Sequence, residues 1–258
     1  MLYLIGLGLN EKGYSREAYD AISEADRVYI DSYTVKYPYD INKLREQFEK
    51  KEFIPADRNF VENLGLVDMA KNNNIVLLVY GSPLTATTHI TLIQEAKKKG
   101  IKVKIIHSAS VIDAVSETGL QLYKFGKITS MPIWDKSKNY TPDSFLDTVK
   151  DNKKMEAHSL ILIDIGIEFS EALEQLEKAS EKKELVLGKV IACSRLGTQS
   201  QRIYYASIGD LKKKSDIIKA PFSIIIPGKQ HFVEEEVLKG FEIKDKMNSK
   251  PNLPNSEN

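Results

Sequence analysis

Two short segments carry the residues whose types and spacing could do chemistry. Residues 80–89 read Tyr-Gly-Ser-Pro-Leu-Thr-Ala-Thr-Thr-His. They follow the apolar run 75–79 and precede a helical pattern that begins near Ile90. A buried strand that ends in a Gly-Ser-Pro turn, before a helix opening from small hydroxyl residues, marks the place where parallel α/β sheets bind ligands, at the carboxyl ends of strands. A second segment of the same kind opens the chain, where residues 2–5 lead into Gly6-Leu7-Gly8-Leu9. Both turns are poor in charge. They point to a pocket with uncharged walls for a small molecule of little negative charge, in which Thr85, Thr87 and Thr88 supply directional hydrogen bonds.

Other chemistries fit less well. Gly6-Leu7-Gly8 begins a dinucleotide fingerprint, but the third glycine would fall at Glu11, whose side chain obstructs close helix–strand packing. No G-x-x-x-x-G-K-[ST] phosphate loop occurs. Ser82 lacks the G-x-S-x-G flanks of a nucleophile elbow. The four histidines lie far apart, with no short metal-ligand spacing, so each reads as a capping or packed residue and no metal is expected. Ser110 follows a strand and leads into a helix, where it could serve simply as an N-cap. No catalytic side chain can be singled out.

These turns need elements to hold them. The first half alternates strand-like stretches (residues 2–7, 28–30, 75–80 and 103–106) with helical ones (15–25, 41–48, 60–71 and 89–99), a rhythm that predicts a parallel sheet. In the second half, helical patterns near residues 110–116, 168–180 and 230–241 accompany short strands near 128–131, 160–164, 189–194, 202–206 and 222–226. Such close spacing predicts antiparallel pairing and a mixed sheet. The expected fold is therefore α/β with two lobes, a mainly parallel one over residues 1–109 and a mixed one over 110–244, and a disordered polar tail over 245–258.

Composition narrows the class. The 258 residues balance 37 basic against 36 acidic side chains, and the net charge of +1 offers no field to gather nucleic acid or anionic lipid. No apolar run reaches the eighteen or so residues of a membrane span, and the opening residues do not read as a secretory signal. Cys193, the only cysteine, excludes an internal disulfide and reads as a small core residue of a protein from a reducing compartment, the cytoplasm.

Taken in order, several segments resemble the diphthine synthases, a family of the tetrapyrrole-methylase-like class of S-adenosylmethionine-dependent methyltransferases. Residues 2–9 resemble the family's first strand and turn, and residues 80–89 its G-D-P-L-x-A-T-T-H segment. Residues 106–111 and 118–126 are similar to H-x-x-S-[IV] and T-G-L-x-x-Y-x-F-G. Further likeness lies at residues 158–165, 195–203 and 227–238. The resemblance implies a cofactor cleft between two lobes, S-adenosyl-L-methionine as cofactor, a homodimer, and elongation factor 2 as protein substrate. It implies N-methylation of an aminocarboxypropyl-modified histidine on that factor, in diphthamide biosynthesis. By position, the cofactor contacts fall on Leu9, Ser82, Thr85, Ser110, Val111, Ile163, Leu196 and Phe222.

Two departures stand out. Ser82 occupies the place of the family's Asp, and Gln201 that of a Pro. A hydroxyl cannot pair with a positive group as a carboxylate does, so Ser82 bears on cofactor affinity. The rival readings are a tetrapyrrole methyltransferase, which needs a broad apolar cleft, and a non-catalytic paralogue that binds the translation factor. A nucleotide-dependent oxidoreductase is more distant because of Glu11.

Overall fold

The structure is a computed structural model that describes residues 1–49 and 51–243. The tail expected at residues 245–258 lies outside the described residues. Strands β1 (Leu2–Gly6), β2 (Arg27–Asp31), β3 (Phe53–Ala56), β4 (Ile75–Val79) and β5 (Val103–Ile106) form a five-stranded sheet. Their order is β3-β2-β4-β1-β5, and every neighbouring pair is parallel. Helices α1 (Arg16–Glu24), α2 (Ile41–Arg45), α3 (Arg58–Glu62), α4 (Gly65–Met69) and α5 (Ile90–Lys98) connect these strands.

Burial explains the unbroken apolar run of β4. All five of its residues are buried. Ile75, Leu77 and Val79 pack into a core with Leu2, Leu4 and Leu92, whereas Val76 and Leu78 pack into the opposite core with Ile5, Leu7 and Ile22. Successive strand side chains point to opposite faces, so a strand covered on both sides must be apolar throughout. Ser15 caps α1 by accepting a hydrogen bond from the Ala18 amide, as its position predicts.

A second sheet comprises β6 (Thr129–Met131), β7 (Ser159–Ile163), β8 (Val190–Ser194), β9 (Arg202–Ala206) and β10 (Phe222–Ile226), in the order β6-β7-β10-β8-β9. Only β6 and β7 pair in parallel, so the sheet is mixed, as the strand spacing predicts. The accompanying helices are α6 (Val111–Ala114), α7 (Phe145–Lys154), α8 (Phe169–Lys182), α9 (Ile208–Lys212) and α10 (Phe232–Lys239). No helix among the described residues is long and apolar enough to cross a membrane.

Several elements depart from expectation, among them the five-residue α9, where no helix is predicted. The single helix expected over residues 60–71 is two, α3 and α4, parted by Leu64 in the left-handed region at φ 63°. Strand β3 escapes the pattern because Pro55 interrupts it; a proline is tolerated there because β3 is an edge strand. Helix α7 escapes because it buries only Phe145, Leu146, Val149 and Asn152 amid residues of modest helix propensity.

Candidate functional site

The turn after β1 and the turn after β4 meet. The amide of Gly8 donates to the carbonyl of Gly81 at 3.1 Å, and the Gly81 amide donates back to the Gly8 carbonyl at 2.9 Å. Both glycines hold positive φ, 69° and 74°, which a side chain rarely permits. The Tyr80 hydroxyl adds a third link, donating to the Leu9 carbonyl at 3.3 Å. Because β1 and β4 are parallel neighbours, these turns lie side by side at the carboxyl edge of the sheet.

That edge is one wall of a cavity of about 1030 Å³. Leu9 follows β1, Ser82 and Thr85 follow β4, and Ser110 and Val111 follow β5; all line it. The facing wall comes from the second sheet. Ile163 ends β7, Phe222 begins β10, and Leu196 follows β8. All eight residues assigned to cofactor contact by resemblance thus surround one space.

Their side chains are not equally available. Ser110 caps α6 in a capping box: its hydroxyl accepts from the Ile112 amide, and Asp113 accepts from the Ser110 amide. It is an N-cap and a wall residue at once. Of the three threonine hydroxyls expected to serve a ligand, that of Thr87 is spent on the Pro83 carbonyl at 3.0 Å. Thr88 acts on the Tyr33 hydroxyl. Thr85 Oγ1 makes no hydrogen bond among the described residues. Ser82 Oγ has only a long contact, 3.5 Å, to His107 Nδ1.

A buried pair holds this wall in place. Asp31, at the end of β2, and His89, just before α5, are both fully buried, with His89 Nε2 3.2 Å from Asp31 Oδ2. The Asp31 carboxylate also accepts from the amides of Tyr33 and Thr34 and from the Thr34 hydroxyl at 2.7 Å. His89 Nδ1 lies 3.1 Å from the Pro83 carbonyl. A carbonyl only accepts, so the imidazole is the donor in that contact. One pair thereby ties the loop after β2 to the loop after β4. His89 is the packed residue its sequence suggests, but it packs against the site.

Sequence reasoning missed Tyr33 and Thr34, which line the cavity beyond β2. The same strand-end rule that singled out β1 and β4 would have flagged them. It also missed Arg58, Lys127, Asp164 and Arg195, so the expected uncharged wall is corrected: three cations and one carboxylate border the cavity. The uncharged stretch is confined to the first-sheet turns. Cys193 is a core residue as expected, its thiol pushed up to about 12 by burial, yet it lines the cavity too. Two wall residues other than glycine, Ala86 at φ 54° and Arg195 at φ 50°, sit in the left-handed region, a strain of about 1–3 kcal/mol that gathers at binding sites. No group of three or more His, Cys, Asp or Glu side chains among the described residues could hold a metal ion.

Gln201 now has a physical account. Its side-chain carbonyl accepts from the Gly197 amide at 2.9 Å, and its amide donates to Glu117 at 2.7 Å. Asn10, next to Leu9, donates to the Gly197 carbonyl at 2.8 Å. The loop that presents Arg195 and Leu196 is therefore stapled to the first-sheet turn and to the segment after α6.

Residues 1–212 match the family model of the tetrapyrrole (corrin/porphyrin) methylases. A diphthine synthase of Methanococcus maripaludis is 38% identical over 253 residues, covering 93% of this chain and 98% of its own. The chain belongs to the diphthine synthase family. A protein of Arabidopsis thaliana described as a "probable diphthine methyl ester synthase" is 33% identical over 278 residues, covering 95% of this chain and 99% of its own. A solved diphthine synthase superposes with a TM-score of 0.82 at 31% identity, over 93% of this chain and 95% of that one. Membership makes the chain a methyltransferase. The two sheets and the cavity edge described above are thus those of a diphthine synthase family member.

Proposed function

We propose that this chain uses S-adenosyl-L-methionine to N-methylate the aminocarboxypropyl-modified histidine of elongation factor 2, a step of diphthamide biosynthesis in the cytoplasm. The observation that carries the reading is the convergence of eight separately matched residues around one cavity, whose first-sheet edge is built on the Gly8–Gly81 bridge. Family membership supports the reaction class.

The residues present fit such a cofactor. Ser223 lines the cavity, and its hydroxyl is buried with no hydrogen-bond partner among the described residues. By register it shares a sheet face with its paired neighbours Leu162 and Cys193, which also line the cavity. A buried orphan hydroxyl beside apolar neighbours is costly unless a ligand or water meets it. The volume reaches the upper end for small-molecule pockets, leaving room for a substrate side chain as well.

When bound, the cofactor supplies a methyl carbon made electrophilic by its sulfonium. The protein's own work is alignment and exclusion of water. Leu9, Val111, Ile163, Leu196 and Phe222 give apolar walls, Thr85 and Ser82 give uncharged hydroxyls, and the Asp31–His89 pair holds the loops that carry them. Fixing two reactants in line contributes up to about 7–11 kcal/mol in the best intramolecular cases. An amine that arrives neutral needs no general base, in keeping with the lack of an obvious catalytic dyad. A homodimer belongs to this proposal, and light scattering of the purified protein tests it.

Purified protein, labelled S-adenosylmethionine and elongation factor 2 carrying the aminocarboxypropyl histidine are expected to place label on the factor. Label entering a corrin or porphyrin ring instead would reject the assignment. Calorimetry with S-adenosylhomocysteine separates the non-catalytic reading, which predicts no heat at millimolar ligand. Ser82→Asp is expected to tighten that binding.

A further inference from the structure

Arg195 is a charged residue of this cavity that the methyl-transfer reading does not use. It follows β8 directly, with its backbone in the left-handed region at φ 50°. An arginine has no local reason to adopt that conformation; asparagine and glycine tolerate it far better. The surroundings hold it there. Its amide donates to the Pro221 carbonyl at 2.8 Å. Its Nε donates to the Ala220 carbonyl at 2.9 Å. Its own carbonyl accepts from the amide and the hydroxyl of Thr198.

Main chain and the near end of the guanidinium are thus fixed, while the far end is not. Among the described residues, neither terminal nitrogen of Arg195 has a hydrogen-bond partner, and no acidic side chain pairs with it. Arg58, on the same cavity, differs: it lies over the Tyr33 ring and reaches Glu62. The positive field of Arg195 acts on the Tyr80 hydroxyl, itself a wall residue of the cavity. A half-anchored guanidinium with both terminal nitrogens free at a cavity wall has the fork geometry that a carboxylate meets with two parallel hydrogen bonds.

We propose that Arg195 is a carboxylate-binding residue of the cleft, held in position by the Ala220 and Pro221 carbonyls and presenting its terminal nitrogens to a ligand carboxylate. The proposal rests on the methyltransferase reading, which brings two molecules with such a group into the cavity. One is the cofactor, through its methionine end. The other is the substrate, through its aminocarboxypropyl group. In either case the arginine acts on orientation: it fixes the end of a flexible chain whose other atoms must be aligned for transfer.

The test compares wild type, Arg195→Gln and Arg195→Lys, each first checked for an unchanged melting temperature and circular dichroism spectrum. Lysine keeps the charge and loses the fork. Calorimetry is run with S-adenosylhomocysteine, which carries the carboxylate, and with 5′-methylthioadenosine, which does not. Steady-state kinetics are run with the modified elongation factor. If the cofactor is the source, Arg195→Gln weakens S-adenosylhomocysteine by about tenfold or more and leaves methylthioadenosine unchanged. If the substrate is the source, both thioethers bind as before and KM for the factor rises by about tenfold or more, with kcat much less affected. In either case lysine restores only part of the loss. Equal weakening of the two thioethers, or no change in any of the three measurements, overturns the proposal. Wild-type protein that binds neither thioether overturns the methyltransferase reading itself, and the proposal with it.

Discussion

Two buried histidine–carboxylate pairs, one in each half of the molecule, use the same chemistry for different ends. Asp31 and His89 lie 3.2 Å apart, and His158 and Glu234 lie 3.1 Å apart; all four side chains are fully buried. Every partner of the Asp31–His89 pair belongs to a loop of the cavity wall: Tyr33, Thr34 and Pro83. The partners of the second pair lie elsewhere. Glu234 accepts from the amides of Gln121 and His231 and from Lys124, and His158 Nδ1 accepts from the Gly228 amide at 2.9 Å. That network closes the capping box of α10 and joins it to the segment at residues 121–124 and to β7. The first pair positions a site and the second fastens a fold. What a buried histidine–carboxylate pair does is decided by the loops it grips, not by its own geometry.

The largest expected effect lies in the second pair. Glu234→Ala would strand two backbone amides, Lys124 and His158, and is expected to cost about 3–5 kcal/mol of stability. The folded fraction is still expected to bind S-adenosylhomocysteine with wild-type affinity; denaturant unfolding and calorimetry check the two halves of this. A large affinity loss without a stability loss would break the comparison.

Acid sharpens the same contrast. Burial pushes the Glu234 carboxyl up, but the Gln121 and His231 amides, Lys124 and His158 outweigh it and hold it at about 2, against an ordinary 4.5. Burial lowers the His158 imidazole below its ordinary 6.5, partly opposed by Glu234. Both groups bind protons more readily unfolded than folded. Stability is therefore expected to fall as pH drops below about 6.5, first through His158, and to keep falling from 4.5 towards 2 as Glu234 is titrated. Urea midpoints across pH 7 to 3 measure this. In His158→Gln the decline above pH 5 is expected to be smaller.

His89→Ala is expected to cost less stability, about 1–3 kcal/mol, because Asp31 keeps its three donors from Tyr33 and Thr34. Its affinity for S-adenosylhomocysteine is expected to fall by about tenfold or more as the Pro83 loop loosens. Stability loss with unchanged affinity would reduce this pair to the role of the other.

The smallest effect is expected at Gln201→Ala, about 1 kcal/mol, from loss of its bonds to Gly197 and Glu117. Because the staple steadies the loop of Leu196, affinity is expected to fall severalfold. A Gln201→Pro variant that restores both would mean that the family's residue stiffens the same loop by another route.

Much of this was legible in the chain because local patterns agree with the fold. The apolar run of β4 and the serine before α1 name their elements without help. The wall residues at 82, 85, 110 and 111 follow strands that can be read by eye. What was not legible depends on tertiary placement. Asp31 ends a short strand with nothing in its neighbourhood to announce a partner 58 positions away. Arg195 looks like one more surface charge until its backbone conformation and two carbonyl anchors are seen. Strand β3 hides behind Pro55, which is tolerable only because the strand lies at an edge.

Ligand binding is expected at the edge where the Gly8 and Gly81 turns face the second sheet. A crystal structure with S-adenosylhomocysteine tests this most directly. The nucleoside thioether is expected in contact with Leu9 and Thr85 on one side and with Leu196 and Ser223 on the other. Density for it elsewhere on the molecule, or none near Leu9 and Thr85 at saturating ligand, would contradict the account.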